Sequence, residues 1–339
     1  MKKIKLKKKS NFFKKLFIKL CRLLGFEIID QSSFTSPTLN KNLCETLSIQ
    51  GKKSITVPLG EIKIKNKIKS LKVILRSCTS ELIMDQNKRR IFDEEKNEYT
   101  FRTLRSLIKS IKKASLELKD IKFDLIVTDT NSPKEDTDKI KEILNKSNIE
   151  NKFEPIDLNK FKDKIKPGYS KAKFSNMANF YTSLIISKKQ SADIIYFVED
   201  DYLHFEPMLE EMVTSYERIA SQIKKDIFMC PSDYPYLYMN NLKTNVLIGS
   251  KRHWRTVDKT LCTFMTTKKL LNKYWDNFYK NCQDRHDPFE KYLNEIYFTE
   301  ICISPIKSLS LHLTNINSSY GLSPFIDYKK LWEENKIND

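Results

Sequence analysis

Three consecutive carboxylates, Glu199-Asp200-Asp201, follow directly on the apolar run Ile194 to Val198. Like charges at this spacing repel one another, and burial at the end of an apolar strand disfavours their ionised forms. A hard divalent cation, Mg²⁺ or Mn²⁺, relieves the repulsion when one or two carboxylates hold it while it also grips phosphate oxygens. A second account needs no cation. His204-Phe-Glu206-Pro207 opens a helix predicted to run to about Ser221, and acids favour helix N-termini, where proline is also at home. Both accounts can hold together.

The elements around the triplet decide what else can reach it. Leu71 to Ser77 reads as a short buried strand, Tyr99 to Leu118 as a helix by its Leu104, Leu107, Ile108 and Ile111 spacing, and Phe123 to Asp129 as a second strand. Thr130-Asn-Ser-Pro ends that strand in a turn, Glu135 to Ser147 makes the next helix, and Phe153 to Ile156 makes a weaker third strand. Phe174 to Gln190 is helical, and Asp193 to Val198 carries the strongest strand signal in the chain. Strands alternating with helices predict a parallel α/β sheet with helices on both faces. The ligand site of such a sheet lies beyond the carboxyl ends of its strands. That rule selects Arg76, Ser77, Asp129 and the acidic triplet.

Further along, Asp226 to Asp233 reads as another strand, followed by Tyr234, Tyr236 and Tyr238, whose faces suit either sugar rings or packing. Gly249 to Arg255, with Lys251, Arg252, His253 and Trp254, reads as a basic aromatic loop suited to a phosphate or to solvent. Thr260 to Met265 is a predicted strand, Lys268 to Asn281 a helix, and Gln283 to Glu290 leads into another helix ending at Tyr297. Ile301 to His312 is a late strand with a histidine at its end. Asn315 to Gly321 reads as a lid, and Pro324 to Asn335, with Trp332, as a docked terminal helix.

The segment Tyr196-Phe-Val-Glu-Asp-Asp-Tyr-Leu-His-Phe-Glu-Pro resembles the acidic metal motif of nucleotide-sugar-dependent glycosyltransferases of the GT-A fold, in the Glu-Asp-Asp variant of the N-acetylglucosaminyltransferase I type. The resemblance spans about residues 70–320. It implies a GT-A-like, Rossmann-like sheet, mostly parallel and flanked by helices, that moves a sugar from a nucleotide-diphosphate donor, UDP-sugars favoured, to a hydroxyl of a glycan or lipid-linked acceptor. Surface polysaccharide or lipopolysaccharide synthesis is the implied setting. It assigns Asp201 to Mn²⁺ or Mg²⁺ and adds His312 to the metal or diphosphate shell. Glu199, Asp200, Asp129, Arg76, Ser77, Lys173 and Asn176, with Asn179 nearby, are implied donor contacts. Asp287 is the first choice and Glu290 the second for the base that takes the acceptor proton, with helix capping and surface charge as the alternatives. Asp233, Tyr234, Tyr236 and Trp254 are the acceptor candidates.

Composition bounds these readings. The 339 residues hold 61 Lys and Arg against 43 Asp and Glu, a net charge of +18. Ten of the basic residues and no acid fall within the first 22. Phe12, Phe13, Leu16, Phe17, Leu20, Leu23 and Leu24 are interleaved with them at helical spacing. A basic amphipathic helix results, suited to an anionic membrane surface, to docking on the body, or to a nucleic-acid arm; no nucleic-acid signature supports the last. Broken by Lys14, Lys15 and Lys19, it is neither a secretory signal nor a membrane span. The chain is read as cytoplasmic, peripheral on the inner face of the cytoplasmic membrane. Seven scattered cysteines without a CxxC pair suggest neither a disulfide framework nor a zinc site.

The expected organisation is an arm at 1–30, a linker with an edge hairpin at 31–69, a catalytic domain at 70–315, and a lid with a docked helix at 316–339. Two rival functions remain. A sugar-phosphate nucleotidyltransferase would want a Gly-rich phosphate loop after the first strand, where Arg76-Ser-Cys-Thr-Ser-Glu81 has no glycine. A non-catalytic basic protein with a degenerate transferase body would not need the intact triplet.

Overall fold

The structure is a computed structural model and describes residues 12–25, 64–80, 90–190, 192–238, 244–284, 289–313, 322–323 and 326–336. It divides into two compact units, Met1–Lys63 and Ile64–Asp339. In the first, helix α1 (Phe12–Leu23) has no acid in its first turn and Arg22 in its last. Phe12, Phe13, Leu16, Phe17, Leu20 and Leu23 are each more than half exposed on it.

The second unit is an α/β fold. Its sheet is built from β1 (Ser70–Ser77), β2 (Lys122–Asp129), β3 (Asn151–Pro155), β4 (Ile194–Glu199), β6 (Phe228–Met229), β7 (Val246–Ile248), β8 (His253–Val257), β9 (Phe264–Thr267) and β10 (Cys302–Pro305). Their order is β3-β2-β1-β4-β9-β6-β10-β8-β7. The registers orient seven of these nine strands one way, with β9 and β8 against them, so the sheet is mostly parallel. A small two-stranded sheet pairs β5 (Tyr202–His204) with β11 (Ser310–His312).

Helices α2 (Lys96–Glu117), α3 (Lys134–Asn145), α4 (Lys171–Lys189) and α5 (Met208–Ile223) follow strands of the sheet's first half. Burial explains the central strand: Ile194 to Val198 are all at most 1% exposed, and each such side chain contributes roughly 1.5–3 kcal/mol. The stretch reads as a continuous apolar run because both its faces are covered. Helix α4 is buried on several sides, so Ser175, Asn179, Ser183 and Ser187 lie in its interior-facing set.

Several elements differ from the sequence expectations, each for a local reason. Ile64 to Lys69 form no strand, because Lys65, Asn66 and Ile68 spend their N–H groups on Ser221 and Glu217 of α5. The helix after the triplet begins at Met208 rather than at His204, because Tyr202–His204 are drawn into β5. The strand expected over Asp226–Asp233 is only Phe228–Met229, and the tyrosine run that follows coils into a short 3₁₀ turn, Pro235–Tyr238.

Gly249 to Arg255 is not a loop but the turn and second strand of a β7–β8 hairpin. Glycine is required there: an added Cβ would stand 2.3 Å from Trp254 Nε1. The strand expected over Thr260–Met265 is displaced to Phe264–Thr267. The helix expected over Lys268–Asn281 breaks at Tyr274, whose φ of −108° leaves the helical range, giving α6 (Lys268–Lys273) and α7 (Trp275–Gln283). The late strand breaks between β10 and β11, where Lys307 takes a φ of 69°. Helix α8 (Lys291–Ile296) precedes β10, and α9 (Tyr328–Glu333) packs Leu331 and Trp332 against Tyr99, Leu203, Leu311 and Leu313 in a satellite core.

Candidate active site

The carboxyl ends of β1, β2 and β4 meet in register: Arg76 lies opposite Glu199, and Ser77 opposite Asp129. At the β2 end the fixings are local. Asn131 adopts a φ of 58°, a conformation asparagine tolerates better than most residues. The turn brings Ser132 back onto the strand end, its hydroxyl donating to Asp129 Oδ1 at 2.6 Å and its N–H to Oδ2 at 3.3 Å. Ser77 donates to Oδ1 at 2.7 Å. Burial nonetheless raises the Asp129 carboxyl above its ordinary pKa, because the serine hydrogen bonds offset only part of the desolvation.

The triplet splits into three roles. Glu199 is 3.1 Å from the Arg76 guanidinium, and burial raises its pKa against the pull of that cation. Asp200 turns the other way and accepts from the Cys78 N–H at 3.0 Å and the Thr100 hydroxyl at 3.0 Å, and pairs with Lys96. Asp201 has His312 Nε2 at 3.3 Å from its Oδ2. Burial opposes its charge, yet His312, with Lys96 and Arg90 farther out, holds its carboxyl well below the usual carboxylate range.

The small sheet makes that last pairing. Its register sets His312 opposite Tyr202, the Leu313 N–H donates to the Asp201 carbonyl at 2.7 Å, and the imidazole stacks on the Tyr202 ring at 4.6 Å. Tyr202 shares a 2.7 Å hydroxyl hydrogen bond with Tyr234. Two neighbouring vertices of an octahedron with ~2.1 Å bonds are ~3 Å apart, so the spacing and the carboxylate–imidazole donor set fit a Mg²⁺ or Mn²⁺ ion. Among the described residues no group of three or more His, Cys, Asp or Glu could hold a metal. A cation held by Asp201 and His312 would have to complete its shell from groups outside the protein, such as water.

The other expected residues divide. Arg76 is buried, points at Glu199 and lies 4.9 Å from the Phe180 ring centroid, so it braces Glu199 and is not a free donor contact. Asp200, with three donors on its carboxylate, is likewise a brace. Asn179 holds the Ser77 and Thr128 carbonyls at 3.0 and 3.2 Å, a buried staple between β1 and β2. Asn176 and Lys173 are half-buried on α4, and the Asn176 amide oxygen accepts no hydrogen bond among the described residues. Glu290 comes within 3.9 Å of Cys262 Sγ, and the Cys262 carbonyl accepts from Arg76 at 3.4 Å, which places Glu290 near Glu199. Asp287 and the lid expected at Asn315–Gly321 lie outside the described residues.

Of the acceptor candidates, Tyr234 and Trp254 are fully buried and offer no face to a ligand. Asp233 is paired with Arg255 at 2.8 Å and accepts from Tyr238 at 2.6 Å. Tyr236 stays half-buried beside Tyr234. Lys96, Thr100 and Ser132 were not singled out by sequence. Ser132, three residues after Asp129 in an Asp-Thr-Asn-Ser turn, carried a readable signal; Lys96 and Thr100 act on a partner a hundred residues away and carried none. A separate cleft of about 630 Å³, lined by Lys67, Lys69, Asp193 and Lys268, sits at the amino ends of β1 and β4, opposite the carboxylates.

No family model and no curated protein matches the chain. Solved structures with some likeness include residues 1–349 of S. aureus TarS, at 12% identity over 71% of this chain and 59% of that one, with a TM-score of 0.42. Another is GalNAc-T7 with UDP, GalNAc and Mn²⁺, at 10% identity over 80% and 50% of the two chains and a TM-score of 0.43. A third is the galactosyltransferase LgtC with donor and acceptor sugar analogues, at 9% over 67% and 70%, with a TM-score of 0.31. The chain thus spans about three fifths of the TarS 1–349 structure.

Proposed function

We propose that the protein is a metal-dependent glycosyltransferase that moves a sugar from a nucleotide-diphosphate donor to a hydroxyl of a glycan or lipid-linked acceptor. The observation that carries this reading is the buried Asp201–His312 pair at the carboxyl end of β4. Its carboxylate is held ionised and its two donor atoms are spaced as neighbouring ligands of a divalent cation. A cation bound there would supply positive charge against that which develops on a departing nucleoside diphosphate.

The chain's own groups then have distinct work. Asp201 and His312 hold the cation, with Tyr202 and Tyr234 fixing the imidazole. Asp129, raised by burial and already accepting from two serines, suits hydrogen bonding to a neutral hydroxyl such as that of a ribose. Glu199, braced by Arg76, is a further carboxylate at the strand ends, and the Asn176 oxygen is a further acceptor. Asp287 or Glu290 serves as the base for the acceptor hydroxyl. The buried Arg76–Glu199 pair weighs against a sugar-phosphate nucleotidyltransferase, which would want that arginine on phosphate.

Helix α1 suits the surface of an anionic leaflet. It combines an exposed apolar face with basic residues and no acid. Among the described residues no helix is long and apolar enough to cross a membrane. Peripheral attachment on the cytoplasmic side and a role in surface polysaccharide assembly accord with that helix.

The test is thermal denaturation and donor hydrolysis with UDP-, GDP-, CMP- and dTDP-sugars, with and without Mn²⁺. The reading expects metal-dependent stabilisation and slow sugar release by at least one donor, both lost in Asp201→Ala. Binding by no nucleotide sugar, or unchanged turnover in Asp201→Ala, would sink it. Flotation with anionic vesicles tests α1: salt-sensitive binding lost in Phe13→Ser/Phe17→Ser supports attachment, and its absence removes it.

A further inference from the structure

Arg90 carries a charge that no hydrogen-bond acceptor in the described fold meets. Both terminal guanidinium nitrogens are buried, and neither has an acceptor. The side chain is nonetheless held in place, its Cζ 4.6 Å from the centroid of the Tyr99 ring. Tyr99 is itself anchored. Its hydroxyl donates to the Phe92 carbonyl at 2.9 Å and accepts from the Phe92 N–H at 3.0 Å, and its ring packs 4.8 Å from Trp332.

A guanidinium stays protonated at any pH a protein meets. Burying the two ends of its fork without acceptors is costly. The carboxylates of the triplet have other partners: Asp201 is engaged by His312, and Asp200 by Lys96, Thr100 and the Cys78 N–H. Arg90 stands over Tyr99, and the residues on either side of that tyrosine in α2, Lys96 and Thr100, bind Asp200, which places the guanidinium at the turn of α2 that abuts the acidic triplet. What the fork lacks is a planar or tetrahedral oxyanion, and phosphate matches it with two parallel N–H···O bonds.

We infer that Arg90 is a phosphate-binding residue whose guanidinium fork closes on two oxygens of a phosphate or diphosphate group bound beside the Asp201–His312 pair. In the nucleotide-sugar reading, on which this identity of the ligand rests, that group is the donor diphosphate. Arg90 and the metal pair then grip one leaving group from two sides. The Tyr99 ring fixes the direction of the fork, which makes Arg90 a preorganised contact.

Calorimetric titration with inorganic diphosphate, UDP and uridine, in Mn²⁺, on the full chain and on Arg90→Met and Arg90→Lys, tests this. Arg90→Met is expected to weaken inorganic diphosphate and UDP about 10- to 100-fold, as for loss of charge-assisted hydrogen bonds, and to leave uridine unchanged. Arg90→Lys keeps the charge but not the fork and is expected to lose less, about 10-fold. Without ligand, Arg90→Met should melt at or above the wild-type temperature, since two buried donor groups without acceptors have been removed.

Equal diphosphate affinity in wild type and Arg90→Met overturns the inference. So does an equal loss for UDP and uridine, the mark of a purely structural role, and so does a wild-type protein that binds no inorganic diphosphate. If Arg90→Met does not fold, Arg90→Lys decides: an unchanged diphosphate affinity overturns the proposal and a reduced one upholds it. A wild-type protein that binds inorganic diphosphate through Arg90 but binds no nucleoside diphosphate keeps the phosphate site and sinks the nucleotide-sugar reading alone.

Discussion

Asp129 and Asp201 stand at the ends of two strands of one sheet, and both are nearly inaccessible, at 5% and 8% exposure. Their electrostatics are opposite. Asp129 is met by neutral donors from its own turn and from the neighbouring strand end, which leaves desolvation dominant and its pKa raised. Asp201 is met by an imidazole and more distant cations brought from other elements, and its pKa is lowered. Burial alone therefore does not say whether a strand-end carboxylate is held ionised. The charge of its partners does, and those partners come from far along the chain.

The largest expected break of this contrast is in turnover. If the nucleotide-sugar reading holds, Asp201→Ala loses metal-dependent donor hydrolysis by about 10³-fold, equivalent to roughly 4 kcal/mol of transition-state stabilisation. Asp129→Asn, which keeps a hydrogen-bonding oxygen, is expected to raise KM for the donor more than it lowers kcat. Equal kcat losses in the two variants would erase the distinction between them.

Next in size is the support beneath His312. Trp332 stacks on Phe92 at 4.1 Å and lies under the Arg102 guanidinium, also at 4.1 Å. Trp332→Ala is expected to cost about 3–5 kcal/mol, the range for truncating a buried aromatic. Chemical denaturation measures the loss, and metal affinity should fall with it because β11 rests on the same satellite core. A normal metal affinity in a folded Trp332→Ala would show that the small sheet holds His312 without α9.

A third test uses pH. His204 is buried between the Tyr196 hydroxyl at 2.8 Å and Ser106 at 3.2 Å, and desolvation pushes its pKa down to about 3. The unfolded chain takes up that proton near pH ~6.5. The contribution of neutral His204 is therefore complete above about pH 6.5 and declines as pH falls toward 3, by up to ~1.4 kcal/mol per pH unit. His204→Gln should flatten the fall in Tm between pH 7 and 4. An identical slope in wild type and variant would contradict the burial assigned to the ring.

The smallest effects sharpen the Asp129 half of the comparison. A raised folded pKa means that the ionised carboxylate is a cost near neutrality that eases as pH falls through the folded value. Asp129→Asn is accordingly expected to be neutral or stabilising by up to about 1 kcal/mol at pH 7. Ser132→Ala, which removes one donor from that carboxylate, should destabilise by about 1 kcal/mol. If Asp129→Asn is markedly destabilising, its carboxylate has a cationic partner and the contrast with Asp201 fails.

The sheet's first half was readable because its strands are continuous apolar runs that end in polar residues. β1, β2, α2, α3, α4 and β4 lie within a few residues of their expected places. The second half was not, because its strands are two to five residues long and are made by pairing rather than by periodicity. Tyr202–His204 has no alternation to read and becomes a strand only because Ser310–His312 lies beside it. The site divides in the same way. Asp129 and the acidic triplet follow from strand ends, whereas the bracing of Asp200 by Lys96 and Thr100, and of Glu199 by Arg76, depends on which side chain turns inward. The residue type of Tyr234 suits a sugar ring and Trp254 falls in a basic aromatic stretch, but both are fully buried, which no residue type announces.

The β5–β11 ladder has a further consequence for how the protein is made. Asp201 and His312 become neighbours only through that ladder, and ribosomes add roughly 5–20 residues per second. The carboxylate thus leaves the ribosome on the order of ten seconds before its imidazole, and during that interval the nascent chain carries the acidic triplet without the histidine. The Asp201–His312 pair is a late product of synthesis, completed when β11 pairs with a strand laid down long before it.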